Sequence, residues 1–263
     1  MADNLFSWNV NGVSVTGFSH LDEDIPCQDA HTFNVTETGT LIAAIADGAG
    51  SAKFSHIGAQ AFTDAVVAGI SSLPSANTFE IDIYASKIKD CVNSTKEQLV
   101  RHGEILTDAE MPEISDFHAT LLVVVSNGTD GAFFHVGDGA AVGYTHGSPD
   151  TEITMTRPHN GEYSNETYFV TEEDWEDKLR ITPFNANHDI ILLMSDGVTP
   201  MGMSDAKCSA PAFEKFVDPV VAYIKNNEQD RACSAVTSTL SREDVRKITP
   251  DDKTFLWAIR ASD

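Results

Sequence analysis

The pattern of hydrophobic and polar positions predicts strands in sequential groups, with helices in pairs between them. Three apolar runs stop at an acid followed by glycine, namely LIAAIADGAG at 41–50, AFFHVGDGAAVGY at 132–144 and DIILLMSDGV at 189–198. Each run predicts a buried strand that carries a carboxylate to the end of a sheet, where glycine lets backbone or ligand approach closely. Asp-Gly is also the commonest hairpin signal, so any one pair taken alone favours a simple turn.

Further strand signals surround these runs. They predict a hairpin or strand pair about an Asn-Gly turn at 6–19, a strand at 32–35, a β-meander over 118–144 and a closing strand at 254–259. The meander is the clearest of these signals, because three apolar runs are separated there by Asn-Gly and Asp-Gly pairs.

Apolar residues at helical spacing predict four helices. The first follows the glycine-rich loop after the first acid-ending run and is capped near Ser51 or Ser55. That loop is neither a P-loop nor a dinucleotide fingerprint. The other helices are predicted at 79–102, 210–225 and 229–243. Strand groups with paired helices between them fit two antiparallel sheets stacked face to face with helices outside, and they do not fit alternating βαβ units.

Length and composition bound the class of protein. With 263 residues, of which 41% are hydrophobic and 22% charged, we expect a soluble globular protein with one domain over 1–263. The acidic stretch at 104–117 reads as a loop, and the polar stretch at about 145–182 as a flap-like insertion over one end of the sheet. No apolar window approaches the roughly 18 residues of a membrane span, and no signal-peptide pattern is present, so we expect a cytoplasmic protein.

The charge balance is strongly acidic, with 40 acids against 17 bases and a formal net charge of −23. This field opposes binding to nucleic acid or anionic lipid, so we expect neither as a partner. An anionic substrate would then need local positive charge, which a metal cluster provides. The four cysteines lack CxxC spacing and paired histidines, which argues against a zinc site and a disulfide framework. Cys27 lies beside Asp29, and an acidic neighbourhood is the opposite of what a nucleophilic cysteine needs.

Carboxylates delivered from distant strand ends predict a metal site. Asp47, Asp138 and Asp196 end the three apolar runs, and Asp251 and Asp252 form a further acidic pair before the last strand. Carboxylates gathered at close range repel one another, and a hard divalent cation with oxygen ligands and water is the usual remedy.

Six motifs occur in an order that resembles the metal-dependent PP2C-type (PPM) family of protein serine/threonine phosphatases. They are QDAH at 28–31, ADGAGS at 46–51, HATLLVV at 118–124, HVGDGAAVGY at 135–144, LLMSDGVT at 192–199 and PDDKTFLWAI at 250–259. The resemblance covers almost the whole chain. The segments GSAKFSHIGA and PHNGEYSNETYF, together with the PCQDA loop, are similar to a bacterial branch of the family.

This resemblance implies an α+β fold, a four-layer αββα sandwich of two antiparallel sheets flanked by helix pairs. It also implies two Mn²⁺ or Mg²⁺ ions, or three where a weaker third site is included. These ions would activate a water for in-line attack on phosphorus. The implied catalytic residues are Asp29, Asp47, Asp196 and Asp251, and the implied metal-binding residues are Asp47, Gly48, Asp138, Asp196 and Asp251.

Within these sets the resemblance gives each residue a role. Asp47 would bridge two ions, and the Gly48 carbonyl would help to bind the second. Asp196 and Asp251 would complete the coordination of the first ion. Asp138 would bind the third ion together with Asp196. Asp29, outside the metal-binding set, would hold the cluster through water or a hydrogen bond.

The chain departs from the family pattern in three places. The segment HLDEDIPCQ lacks the arginine that family members use to grip phosphate; His20 or Lys53 is a candidate replacement, or else a neutral loop histidine and a solvated cation. The histidine that follows the central Asp-Gly in eukaryotic members is Ala49 here. Asp252 replaces the usual asparagine of the terminal motif and adds a negative charge that would tighten or distort the first metal site.

The flap segment is the candidate region for substrate choice. Asn160, Glu162, Asn165 and Thr167 are positioned in sequence to select the substrate, and they serve equally well as caps of the loop.

The leading hypothesis is a metal-dependent phosphatase acting on phosphoserine or phosphothreonine of proteins, with a phosphoprotein as partner and a monomeric chain. Two alternatives remain open. One is a non-catalytic, partner-binding module of the same fold, which the missing arginine favours and the retained acids oppose. The other is a hydrolase of small phosphomonoesters, which the absence of a basic substrate groove permits.

Overall fold

Ten strands form two five-stranded antiparallel sheets. The computed structural model describes residues 7–74, 78–107, 111–147, 153–159, 167–184 and 188–260. In chain order the strands are β1 Trp8–Val15, β2 Ala30–Val35, β3 Leu41–Ala46, β4 Leu121–Ser126, β5 Gly131–Val136, β6 Ala140–Tyr144, β7 Thr154–Thr156, β8 Arg180–Phe184, β9 Ile190–Met194 and β10 Lys253–Arg260. The first sheet has the order β1-β10-β9-β6-β7, and the second has the order β2-β3-β4-β5-β8.

Helices α2 and α3 cover the outer face of the second sheet, and helices α6 and α7 that of the first. The helices are α1 Phe18–Glu23, α2 Ser55–Ser71, α3 Ile81–Thr107, α4 Trp175–Lys178, α5 Thr199–Gly202, α6 Asp218–Lys225, α7 Gln229–Leu240 and α8 Glu243–Arg246. A 3-10 turn at Ile114–Phe117 and a π-helical turn at Phe213–Val217 complete the set. No helix among the described residues is long and apolar enough to cross a membrane.

Three apolar cores separate four layers. One core lies between the second sheet and helices α2 and α3, and another between the first sheet and helices α6 and α7. The third fills the space between the sheets, with Ile45 from β3 opposite Leu193 from β9 and Leu256 from β10. Because side chains alternate along a strand, every residue of β3 is buried on one side or the other. The predicted four-layer αββα sandwich is therefore confirmed.

The opening segment is one strand, so the predicted hairpin at 6–19 was wrong. β1 runs through Asn11-Gly12 without turning and pairs along its length with β10. The Asn11 side chain accepts a hydrogen bond from the Gly12 N–H at 2.8 Å. A Cβ at Gly12 would lie 2.6 Å from the His31 ring, so glycine serves here to let strand β2 approach.

The predicted β-meander was wrong at its second connection. Strands β4 and β5 form a hairpin, but β5 and β6 belong to different sheets. The chain crosses between sheets at Gly137, whose φ of +121° favours glycine. Asp138 therefore lies in a crossing between the two sheets.

The stretch at 145–182 contributes an edge strand to each sheet, β7 to the first and β8 to the second. Helix α3 extends to Thr107, into the region predicted as a loop at 104–117. Helix α2 begins at Ser55 with Phe54 at the N-cap position, and no side-chain hydrogen bond caps it. These differences concern element ends, where local signals are weakest.

Candidate metal centre

Three aspartates from separate strand ends meet at one end of the sandwich. Asp47 follows β3 of the second sheet, Asp196 follows β9 of the first, and Asp138 lies in the crossing between the sheets. One carboxylate oxygen from each lies within 4.8 Å of the others, and all three residues are partly exposed. Both sheets thus contribute to a single group of oxygen atoms.

Backbone hydrogen bonds fix the position of Asp47. Its N–H donates to Thr120 Oγ1 at 2.9 Å, and the Thr120 N–H donates to the Asp47 carbonyl at 2.8 Å. The next residue, Gly48, donates its N–H to the Gln28 carbonyl at 3.1 Å. A Cβ at Gly48 would lie 2.6 Å from that same carbonyl oxygen, so only glycine lets the two loops meet.

Asp29 is buried and is joined to the first sheet through a serine. Ser195 Oγ donates to Asp29 Oδ2 at 2.8 Å, and the Thr254 N–H donates to Ser195 Oγ at 2.9 Å. The other oxygen, Asp29 Oδ1, is buried without a hydrogen-bond partner among the described residues. Asp29 thus ties the start of β2 to strands β9 and β10, beside Asp196.

The terminal acidic pair divides into two different environments. Asp252 is buried, and its carboxylate accepts from the Gly17 N–H at 2.6 Å and the Gln28 N–H at 2.5 Å. The His20 Nδ1 lies 3.0 Å from the same carboxylate. Asp251 is partly exposed, and its charge adds to the effect of burial, which raises the pKa of Asp138 and of Asp196. Asp252 therefore anchors the loop before β2, while Asp251 faces the aspartate group.

Burial and mutual repulsion disfavour the ionised forms of the aspartates. Burial is the main cause that raises the pKa of Asp29, Asp47 and Asp138, and neighbouring carboxylates add to it. Burial, with the charges of Asp138 and Asp251, raises the pKa of Asp196 to about 6. Asp196 Oδ1 is buried without a hydrogen-bond partner among the described residues. Hard oxygen donors that repel one another and lack partners fit a divalent cation such as Mg²⁺ or Mn²⁺.

A cleft extends from the aspartate group over the surface. It has a volume of about 430 Å³ and is bordered by Asp138, Pro158, Asp196, Met203 and Asp205, among others. Thr167, one of the predicted flap residues, donates its hydroxyl to Asp138 Oδ2 at 2.6 Å. This contact links the flap to the aspartates; Asn160, Glu162 and Asn165 lie outside the described residues.

The two candidate replacements for the phosphate-binding arginine have other neighbours. His20 is buried against Asp252. Lys53 is exposed, with its Nζ 4.9 Å from the centre of the Phe54 ring. A phosphate contact by either residue remains a prediction. Burial and the Asp29 charge raise the pKa of the Cys27 thiol, in keeping with the argument against a nucleophilic role.

Sequence reasoning missed three residues that support the centre. Thr120 and Ser195 hold Asp47 and Asp29, and no local signal distinguishes them from other small polar residues near strand ends. Lys253 is fully buried and donates its Nζ to the Asp251 carbonyl at 2.5 Å. A lysine at the start of the buried strand KTFLWAI was a readable signal, because a charged side chain is rarely buried without a partner.

Comparisons with known proteins agree with this geometry. The family model described as "Protein phosphatase 2C" matches residues 16–243. The chain is 27% identical to serine/threonine-protein phosphatase 3 of Escherichia coli (strain K12), with 96% of this chain and 99% of that protein covered.

Solved structures share the fold. Serine/threonine phosphatase Stp1 from Staphylococcus aureus matches with a TM-score of 0.61 at 15% identity, covering 97% of this chain and 96% of that one. The S. agalactiae serine/threonine phosphatase matches with a TM-score of 0.63 at 12% identity, covering 96% and 99% respectively.

Proposed function

The chain belongs to the protein phosphatase 2C family, and we propose that it hydrolyses phosphoserine and phosphothreonine on proteins at a divalent-metal centre built from its aspartates. The observation that carries this proposal is the meeting of Asp47, Asp138 and Asp196, whose oxygens lie within 4.8 Å of one another. The unpartnered oxygens of Asp29 and Asp196 support it, as do the raised pKa values of Asp29, Asp47, Asp138 and Asp196.

Each aspartate has a separate task in this proposal. Asp47, with its carboxylate close to those of Asp138 and Asp196, would be the ligand shared by two ions, and the Gly48 carbonyl would be a further ligand. Asp196 and Asp251 would complete the coordination of the first ion, and Asp138 with Asp196 would hold a third, more weakly bound ion. Divalent ions bound there would supply an acidified water and positive charge for the phosphoryl oxygens. No covalent protein nucleophile is then needed.

Residues around the aspartates keep this arrangement in place. Asp29 stays in position through Ser195, and Asp252 secures the loop that carries Asp29. The cleft of about 430 Å³ beside Asp138 and Asp196 is open enough to receive a phosphorylated side chain with its backbone. We place the flap segment at 145–182 within one domain spanning 1–263, as the part that selects substrate.

The acids predicted in a loop at 22–24 lie at the C-terminal end of helix α1, and they bear on peptide preference. Asp22 pairs with Arg246 at 2.5 Å, whereas Glu23 and Asp24 are exposed. These exposed charges repel acidic phosphopeptides, so we expect faster hydrolysis of basic ones. Equal rates on matched acidic and basic phosphopeptides would rule out this preference.

Phosphate release from p-nitrophenyl phosphate and from a phosphothreonine peptide tests the function. Assays with Mn²⁺, Mg²⁺ or EDTA compare the wild type with Asp196→Asn and with Asp130→Asn, a matched change at an Asp-Gly pair in the β4–β5 hairpin. We expect metal-dependent activity that falls about 10³-fold in Asp196→Asn and stays within about twofold in Asp130→Asn. A wild type that binds metal by calorimetry but is inactive with every metal would instead indicate a partner-binding module.

Activity on p-nitrophenyl phosphate without activity on the peptide would point to small phosphomonoesters as substrates. The two assays therefore separate the proposed function from both alternatives.

A further inference from the structure

One cation is buried beside the aspartates. Lys253 is the first residue of β10, and its side chain is fully buried. The structure describes all 17 lysines and arginines of the chain, and the other 16 are partly or fully exposed. The single buried side chain among the lysines and arginines thus lies directly after the acidic pair Asp251–Asp252.

Its contacts connect both turns that carry candidate metal ligands. The Lys253 Nζ donates to the Asp251 carbonyl at 2.5 Å. The stem of the side chain passes Gly197, since a Cβ at Gly197 would lie 3.2 Å from Lys253 Cγ. One side chain therefore spans the turn after β9 and the turn before β10.

Its electrostatic neighbours are mostly acidic. Burial lowers the pKa of Lys253, and the charges of Asp251, Asp252 and Asp29 offset only part of that effect. The Nζ also lies 5.7 Å from the centre of the Phe18 ring, a contact that favours a cation. A buried ammonium is tolerated only where opposite charge surrounds it, and this location provides that charge.

We propose that Lys253 is an internal counter-ion of the metal centre, a fixed positive charge that offsets the gathered carboxylates whenever divalent ions are absent. This rests on the metal centre of the proposed function. Lys253 acts through the acids and does not touch substrate, so it is a positioning residue. Its charge stabilises the metal-free fold and at the same time opposes cation binding, which keeps the ions exchangeable.

Two substitutions separate charge from hydrogen bonding. Lys253→Met removes both, whereas Lys253→Gln removes the charge and keeps an N–H donor for the Asp251 carbonyl. Lys225→Met, which removes an exposed charge on α6, is the control. Thermal unfolding with EDTA and with Mn²⁺, and calorimetric titration of Mn²⁺ into metal-stripped protein, give readouts that do not depend on hydrolysis.

The counter-ion role predicts the same result for both Lys253 variants. In EDTA, the midpoint of thermal unfolding is lower than in the wild type. Adding Mn²⁺ raises that midpoint by more than it does in the wild type, and Mn²⁺ binds roughly tenfold more tightly. Lys225→Met behaves as the wild type. Variants that fold only in the presence of Mn²⁺ also support the role.

Several outcomes would overturn it. If wild type and variants bind Mn²⁺ with equal affinity and show an equal Mn²⁺-induced rise in the unfolding midpoint, Lys253 is an ordinary structural residue. Variants that fail to fold even with Mn²⁺ would lead to the same conclusion. Wild-type behaviour of Lys253→Gln alone would assign the role to the hydrogen bond. If the wild type itself binds no Mn²⁺, the proposed metal centre fails first, and this inference fails with it.

Discussion

Two Asp-Gly pairs stand eight residues apart, one at each end of β5, and the fold uses them differently. Asp130-Gly131 closes the hairpin between β4 and β5, where the Asn127 N–H donates to the Asp130 carbonyl at 3.0 Å. Asn127 Oδ1 in turn accepts from the Asp130 N–H at 2.8 Å. Asp138-Gly139 lies where the chain leaves one sheet for the other, and its carboxylate joins those of Asp47 and Asp196.

The difference shows what turns a common dipeptide into a site. In the hairpin, hydrogen bonds within four residues satisfy the turn, and Gly128 supplies the left-handed conformation with φ of +92°. In the crossing, the neighbours of Asp138 come from distant parts of the chain. Gly139 is required there by close approach, because a Cβ would lie 2.7 Å from the Met194 carbonyl oxygen. Topology, and not the local sequence, decides which acid joins the candidate metal centre.

The most direct test of the difference between Asp138 and Asp130 is the same substitution at both residues. Asp138→Asn removes a candidate metal ligand, so we expect kcat/KM to fall about 10²-fold at limiting Mn²⁺, with partial recovery at high Mn²⁺. Asp130→Asn keeps the hairpin and its activity within about twofold. Initial rates across a Mn²⁺ titration measure both. Equal losses in the two variants would show that the crossing has no special role.

The glycines sharpen the comparison through stability. Gly139→Ala would force Cβ against a backbone carbonyl that cannot easily move, and we expect a loss of about 2 kcal/mol in the free energy of unfolding. Gly147→Ala is the control: its φ is +75° and no atom lies within 4 Å of the added Cβ, so only backbone strain of about 1 kcal/mol applies. Denaturant unfolding separates the two costs. A larger loss in Gly147→Ala would contradict the close-approach argument.

The same contrast explains how much the sequence could predict. Strands ending at Asp47 and Asp196 were predictable, because a continuous apolar run and its terminal acid are local features. The crossing at Asp138 was not, since a hairpin and a crossing share the same dipeptide and loop length. The order of the six motifs did imply the sandwich fold and the place of Asp138 among the candidate ligands, because a whole family shares that topology.

Other errors have the same physical origin. The Asn-Gly pair in β1 resembled a turn, yet its glycine makes room for His31 from the other sheet. Thr120 and Ser195 hold acids that are 73 and 166 positions away in the chain. Such long-range partners leave no periodic signal in the sequence, whereas burial and strand direction do.

The hydroxyl that reaches Asp138 from the flap tests the link between the crossing and the flap. Thr167→Val removes the donor to Asp138 Oδ2, a hydrogen bond that favours the ionised form of this carboxylate. We expect about tenfold weaker Mn²⁺ binding at the weakest site, measured by calorimetry. Thr129→Val, in the exposed hairpin turn beside Asp130, is the matched control and is expected to change nothing. Unchanged binding in Thr167→Val would separate the flap from the metal centre.

The smallest expected effect is a pH dependence of the thermal unfolding midpoint, which reports the close approach of the acids. The folded state raises the pKa of Asp196 from 3.8 to about 6, so it binds a proton more tightly than the unfolded chain does. This contribution to stability is complete below pH 3.8 and is lost as the pH rises through about 6. In EDTA, the midpoint of thermal unfolding should therefore fall by roughly 3–6 °C between pH 5 and pH 7.

Divalent ions and the acid itself provide the two controls for this pH effect. Saturating Mn²⁺ should remove the fall, because the bound cation then favours the ionised carboxylates. Asp196→Asn should reduce the fall in EDTA, since one of the titrating groups is gone, whereas Asp130→Asn should leave it as in the wild type. A midpoint in EDTA that is flat or rises over the same range would mean that the gathered acids do not oppose one another, and the reason for a cation at this end of the sandwich would disappear.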